Sequence, residues 1–171
     1  MSNSIEEIMQ TVDSTRCVGI EISNKSRCNI LTEPATYNYS GRVHSPPPPT
    51  IDWGQKGVCI FIKTPHTACG AVGVLSYNFG NSQISLMVSN PYDYSSYSIE
   101  YALYVHDQTT STDYNLYNKM YNELTESDYF TKASLGKCNS CQIISKKGIY
   151  VSATMSNEQK AILKIDIRDA Y

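Results

Sequence analysis

Ser89-Asn-Pro-Tyr-Asp-Tyr-Ser-Ser-Tyr-Ser-Ile-Glu-Tyr101 places four tyrosines around one proline, between two runs that read as strands. Upstream, Ile84-Ser-Leu-Met-Val88 has the apolar density of a buried strand. Downstream, Ile99, Tyr101, Leu103 and Val105 alternate with Ser98, Glu100, Ala102 and Tyr104, the period-two signature of a half-buried strand. Pro91 has no N–H to give to a ladder, so a turn or a sheet edge is expected there. Tyrosine joins an apolar ring to a polar tip, which suits a binding surface wet at one end and apolar at the other. The plain alternative is an ordinary tyrosine-rich loop.

Working outward, the same strand signature recurs. Cys17-Val-Gly-Ile-Glu-Ile22 alternates, Val58 to Ile62 is apolar, and Gly70-Ala-Val-Gly-Val-Leu-Ser-Tyr77 carries two glycines that suggest close backbone approach or a bulge. Ile149 to Met155 and Ala161 to Arg168 close the chain, with Leu163, Ile165 and Ile167 on one face. Between Glu33 and Thr50 lie Pro34, the cluster Tyr37-Asn-Tyr-Ser-Gly41 and the run Pro46 to Pro49, which reads as an extended, ordered surface connection rather than an SH3 ligand, since no basic residue stands immediately beside it.

Two segments carry helical periodicity instead. Ile5, Ile8, Met9 and Val12 fall at i, i+3, i+4 and i+7 within residues 4–14, with Ser4 as N-cap and Glu6 and Glu7 in the first turn. Asp113 to Leu124 puts Leu116, Met120 and Leu124 on a core stripe, and Tyr114, Tyr117 and Tyr121 on a stripe beside it. The whole predicts one mainly β domain over residues 1–171: a short amphipathic helix within 1–16, then a β-sandwich over 17–171 with a helix at about 113–124.

Composition narrows the function. With 14 Lys+Arg against 16 Asp+Glu and no basic run, nucleic acid is a poor partner. No stretch approaches the ~20 apolar residues of a membrane-spanning helix, and Met-Ser-Asn-Ser-Ile-Glu-Glu lacks the parts of a secretory signal, so a cytoplasmic or non-classically secreted protein is expected. Six cysteines are an even number, but Cys59 reads as a core hydrophobe, and the one spaced pair, Cys138-Asn-Ser-Cys141, is only half a zinc site; plain thiols or a local disulfide are expected there, with no metal and no cofactor. His44, His66 and His106 sit in no metal or nucleophile motif and read as loop or sheet-edge residues, so no enzyme is expected.

Taken together and in order, Gly70-Ala-Val-Gly-Val-Leu-Ser-Tyr77, Pro91-Tyr-Asp-Tyr94 with Tyr97, and Leu116-Tyr-Asn-Lys-Met-Tyr121 resemble the actinoporins, the pore-forming cytolysins first known from sea anemones. The resemblance runs from about Cys17 to Asp169, and the Pro-rich loop and the closing strands look most like the vertebrate actinoporin-like branch. It implies a β-sandwich flanked by two helices (also the fold of fungal fruit-body lectins), which binds the phosphocholine headgroup of membrane lipid, usually sphingomyelin. It also implies an N-terminal helix that detaches and a homo-oligomer that forms a cation-permeable pore. Carried over residue by residue, the headgroup pocket falls on Ser40, Val72, Ser89, Pro91, Tyr97, Tyr117 and Tyr121. The membrane-facing loop falls on Tyr92, Tyr94, Ser96 and Glu100, and the membrane-inserting helix on Ile5, Ile8, Met9 and Val12. A quaternary ammonium suits aromatic faces, and serine hydroxyls can donate to a phosphate.

The departures are specific. Ser96 and Glu100 stand where anemone members expose tryptophan, and Asn122 where a further tyrosine is usual. The helix before Cys17 is short and acidic, which predicts better membrane binding than perforation. The rival reading is a lectin-like module in which the same Tyr- and Ser-lined surface takes glycans.

Overall fold

The computed structural model describes residues 3–136 and 141–170. Among the described residues, twelve strands form two six-stranded sheets stacked face to face. The first sheet holds β1 (Cys17–Asn24), β3 (Arg42–Ser45), β5 (Lys56–Ile62), β10 (Gln142–Lys146), β11 (Ile149–Met155) and β12 (Lys160–Asp169), in the order β10-β11-β12-β1-β5-β3. The second holds β2 (Leu31–Ser40), β4 (Thr50–Ile51), β6 (Ala71–Phe79), β7 (Ser82–Asn90), β8 (Glu100–His106) and β9 (Phe130–Ser134), in the order β4-β2-β6-β7-β8-β9.

Among the described residues all the strand pairings are antiparallel except one: β1 and β12, far apart in sequence, run parallel, with Ile20 beside Leu163 and Ile22 beside Ile165. Their inward side chains join Leu75, Leu86, Leu103, Tyr101 and Val151 in one continuous core between the sheets. Each such apolar side chain contributes roughly 1.5–3 kcal/mol on leaving water.

The outer faces decide where a site can form. Helix α1 (Ile5–Thr11) seats Ile5 and Met9, with Val12 just past its end, against Cys17, Ile60 and Ile62 on the first sheet, while Ile8 is partly buried. Ser4 caps it as expected, its Oγ accepting from Glu7 N. The helix is shorter than residues 4–14, because Val12 is already extended and its carbonyl accepts from Lys160 Nζ at 2.7 Å.

On the second sheet, α2 (Tyr114–Asn118) continues into a π-helical turn, Lys119–Glu123. Asp113 caps α2, its Oδ1 accepting from Leu116 N at 3.0 Å. Leu116, Tyr117 and Met120 pack on Val72, Val74, Met87, Ala102 and Phe130, and Leu124 lies at the margin. β8 is therefore not half-buried as its alternation predicts: Ala102 is as buried as Leu103, because the helix covers the outward residues.

His106 corrects a second expectation. It is no loop or edge residue but the buried end of β8, paired to Gln83 of β7, and its Nε2 shares a hydrogen bond with Ser85 Oγ at 2.9 Å. His44 and His66 are exposed, His44 on β3. Glu33 to Ser40, to which the sequence reading assigns no strand, is mostly strand, with Pro34 at a register shift between Thr32 and Ala35. The Pro46–Pro49 run links β3 to β4, and Pro48 accepts a 2.6 Å hydrogen bond from the Tyr77 hydroxyl. Cys17, Cys28, Cys59, Cys69 and Cys141 are free thiols; Cys59 is a core residue, and burial pushes its thiol up to about 12. Cys138 lies outside the described residues.

Candidate functional site

The register of the second sheet lines up one row of side chains near the ends of its strands. Ser40 pairs with Val72, Val72 with Ser89, Ser89 with Glu100, and Glu100 with Ser134. Paired residues point to the same side, here the outer face on which α2 packs. Two glycines permit the close approach. A Cβ on Gly73 would stand 2.4 Å from the Tyr37 carbonyl oxygen, and one on Gly70 would stand 2.1 Å from that of Asn90. With the β2 register shifting between Asn38 and Ser40, Tyr39 is free to stand against the helix beside Tyr37.

The tyrosines form a stack on this floor. Tyr39 stacks on Tyr117 with ring centroids 4.8 Å apart, and Tyr117 stacks on Tyr121 at 5.7 Å. Tyr37 and Tyr114 close the far side, 6.2 and 6.3 Å from Tyr117. Tyr117 is thus the buried middle of the stack at 7% exposure, while Tyr39 at 57% and Tyr97 at 61% offer ring surface to a ligand. Burial pushes the Tyr117 phenol well above its ordinary range. It also raises Tyr121, with the Glu100 carboxylate the next cause and Tyr97 a further one, so Glu100, Tyr97 and Tyr121 share one neighbourhood.

The structure thus brings together Ser40, Val72, Ser89, Tyr117 and Tyr121, with Tyr97 at the border; Val72 and Ser89 are buried beneath the rings. Pro91 starts the exposed loop, and its carbonyl is taken by Arg16. Of the loop residues, Tyr92, Tyr94 and Ser96 are exposed. The turn is tied by Asp93, whose carboxylate accepts from Ser95 and Ser96 and is thereby held below the usual carboxylate range. Glu100 is not a loop residue. It is the first residue of β8, facing the tyrosines, and its Oε2 lies 3.1 Å from Lys132 Nζ on β9.

Sequence reasoning missed Tyr39 and Lys132. Tyr39 had a usable signal, the alternation Tyr37-Asn-Tyr39 opposite a glycine-bearing strand; Lys132 had none, because only the pairing of β9 with β8 brings it to the rings. Its Nζ lies 4.1 Å from the Tyr121 centroid and donates to the Tyr121 carbonyl at 2.7 Å.

The loop and the N-terminal arm share anchors. Arg16, the last residue before β1, donates from Nε to the Pro91 carbonyl at 3.0 Å and from Nη2 to the Tyr92 carbonyl at 2.8 Å, with its guanidinium 4.2 Å from the Tyr94 ring centre. Asn90 Nδ2 donates to the Cys17 carbonyl, and Asn90 Oδ1 accepts from the Tyr94 hydroxyl. The residues predicted to insert, Ile5, Met9 and Val12, face the protein here.

Comparison with known proteins adds the following. The sequence model of a family described as sea anemone cytotoxic protein matches residues 3–169. Bryoporin of Physcomitrium patens is 28% identical over 110 residues, covering 63% of this chain and 59% of that protein, so the match spans less than two thirds of the relative. Among solved structures, the lipid binding protein Nakanori is similar at a TM-score of 0.69 and 19% identity, over 95% of this chain and 75% of its own. IP-1A of Alcaligenes faecalis follows the same fold at a TM-score of 0.52 and 10% identity, over 92% of this chain and 93% of its own.

Proposed function

The chain belongs to the sea anemone cytotoxic protein family, the actinoporins, and carries the fold of those cytolysins; on that premise we propose that it binds membranes by holding a zwitterionic phosphocholine headgroup, with sphingomyelin its carrier, against the tyrosine stack. The observation that carries the reading is the stack itself. Tyr39, Tyr117 and Tyr121 stack on the face that carries the half-buried Ser40, with the exposed Tyr97 in the neighbourhood of Tyr121, giving ring surface for a cation beside a hydroxyl for a phosphate. Tyr92 and Tyr94 are exposed on the loop between β7 and β8, as suits a lipid interface.

Vesicle sedimentation tests this reading. The protein is expected to co-sediment with sphingomyelin-containing vesicles, and the double variant Tyr117→Ala, Tyr121→Ala to bind at least tenfold more weakly. Its circular dichroism must match the parent's, since Tyr117 is also packed. Undiminished binding by that folded variant refutes the headgroup assignment. A protein that ignores vesicles but binds discrete glycans on an array is a lectin-like module instead.

A further inference from the structure

The Tyr121 ring is partly exposed and engaged by two neighbours. One side stacks on Tyr117 at 5.7 Å, and Lys132 Nζ lies 4.1 Å from the ring centre. That ammonium is held by three partners of different kinds: the ring, the Tyr121 carbonyl at 2.7 Å, and Glu100 Oε2 at 3.1 Å. The Lys132 side chain is 28% exposed and that of Glu100 18%, so the pair is accessible from solvent yet partly desolvated. The protein therefore displays a nest built around R–NH3+, inside the surface assigned to the headgroup.

We propose that this nest is an exchange site for the primary ammonium of a phosphoethanolamine headgroup, and that Glu100 makes the site prefer phosphoethanolamine over phosphocholine. The proposal rests on the headgroup reading above and refines its ammonium half. An incoming R–NH3+ reproduces every contact of Lys132: it lies over Tyr121, donates to the Tyr121 carbonyl and pairs with Glu100. A trimethylammonium keeps the attraction to the ring and to the charge, but it has no N–H for the carbonyl or the carboxylate. The displaced Lys132 is not left unpaired, because the headgroup brings a phosphate two carbons from its ammonium. Two ion pairs replace one pair and one free zwitterion, with no net charge taken up. Moving Lys132 aside costs the same for both headgroups, so that cost cancels in their ratio, which reads the N–H bonds made at the site net of the stronger hydration that the primary ammonium gives up. A charge-assisted hydrogen bond is worth enough to expect a preference on the order of tenfold.

The experiment compares vesicles of phosphatidylcholine alone with vesicles carrying phosphatidylethanolamine or ceramide phosphoethanolamine. In parallel, soluble O-phosphorylethanolamine and phosphocholine are titrated while the Tyr121 ring and Lys132 side-chain resonances are followed by NMR. Expected are about tenfold tighter binding of the ethanolamine form, movement of both resonances, and collapse of the preference to within about twofold in Glu100→Gln. A response to the soluble compound but not to vesicles supports the same specificity with a free phosphoethanolamine as its source. Equal or choline-favouring affinities in the parent overturn the proposal while leaving membrane binding standing, as does a preference that survives Glu100→Gln. Binding to none of the vesicles and neither soluble headgroup overturns both readings together.

Discussion

His106 shows what one buried side chain does to the whole protein's response to acid. It is stacked on Tyr104 with centroids 3.8 Å apart and bonded to Ser85, which also bonds Ser76 at 2.8 Å and accepts from Gln83 at 3.2 Å. Burial first, then the positive charges of Lys119 and Lys146, push its pKa down to about 4. The unfolded chain, with an ordinary imidazole near 6.5, therefore binds a proton at pH values where the folded protein does not. The stability linked to His106 is fully present above about pH 6.5 and is lost as pH falls towards 4, up to roughly 3 kcal/mol. The lowered carboxylates Glu6, Asp93 and Asp107 act in the same direction but only in the carboxylate range, below this window. Thermal melting should thus fall between pH 6.5 and 4.5 in the parent and stay nearly level in His106→Gln, whose neutral-pH melting is already lower. An undiminished pH slope in that variant assigns the acid lability to other groups. None of this was legible beforehand: a lone histidine near the end of an alternating run looks like an edge residue, and only the covering helix and the Gln83 pairing make it a buried one. Glu100 and Lys132 escaped for the same reason, since their meeting is set by strand register across a gap in sequence. By contrast, Gly70 and Gly73 announced close backbone approach directly, because an added Cβ there has nowhere to go.

Elements were legible where periodicity was strong and blurred where tertiary contacts set their ends. Helix α1 illustrates both. Its apolar face, Ile5, Met9 and Val12, follows the predicted spacing, yet only Ile5–Thr11 is helical. Its seat is Gly19 on β1, where a Cβ would come 2.6 Å from Met9 Sδ and 3.1 Å from Ile5 Cδ1. Lys164 pairs with Glu6, and Lys160 holds the Gln10 and Val12 carbonyls, but these polar ties are exposed or half-exposed and each contributes little. Packing on Gly19 is therefore what docks the helix. A flexible Met9 can yield to a single methyl, whereas a β-branched side chain also displaces Ile5. Gly19→Val should unseat α1 at a cost of about 1–3 kcal/mol while leaving the sandwich folded. Amide exchange over residues 5–12 should rise at least tenfold without change in β6 and β7. Protection that persists there would move the anchor from Gly19 to the polar ties. The second helix divides into α-helical Tyr114–Asn118 and π-helical Lys119–Glu123, and the π-helical half was not foreseeable, since the tyrosine and leucine stripes read equally well on a regular helix.

At the scale of the whole molecule, the surface proposed to meet a membrane and the segment that would have to cross it are separable, and they differ in what they can do. The tyrosine site needs no rearrangement beyond a lysine side chain. Crossing needs length. Ile5–Thr11 makes a helix of about 10 Å, and extending it to Arg16 gives ~18 Å, against a hydrocarbon core of ~30 Å. No helix among the described residues is long and apolar enough to cross a membrane. Extending the helix beyond Arg16 draws on β1, where Cys17, Val18, Ile20 and Ile22 are buried and where β12 and β5 both pair along the strand. Withdrawing them breaks two ladders at once and presents unpaired backbone groups to lipid. Arg16 must also leave the Pro91 and Tyr92 carbonyls, so the arm cannot be drawn out without loosening the loop proposed to face the membrane. Glu6, Glu7 and Asp13 then oppose burial of Ile5, Ile8, Met9 and Val12 in hydrocarbon, while permitting the helix to lie on a surface. The 171-residue protein is therefore expected to saturate sphingomyelin- or phosphoethanolamine-containing vesicles without releasing an encapsulated dye. Vesicle co-sedimentation and dye release measured on the same samples decide it. Release that rises in step with bound protein would falsify the length argument, and local thinning of the bilayer or withdrawal of β1 from the sheet would then have to supply the missing span.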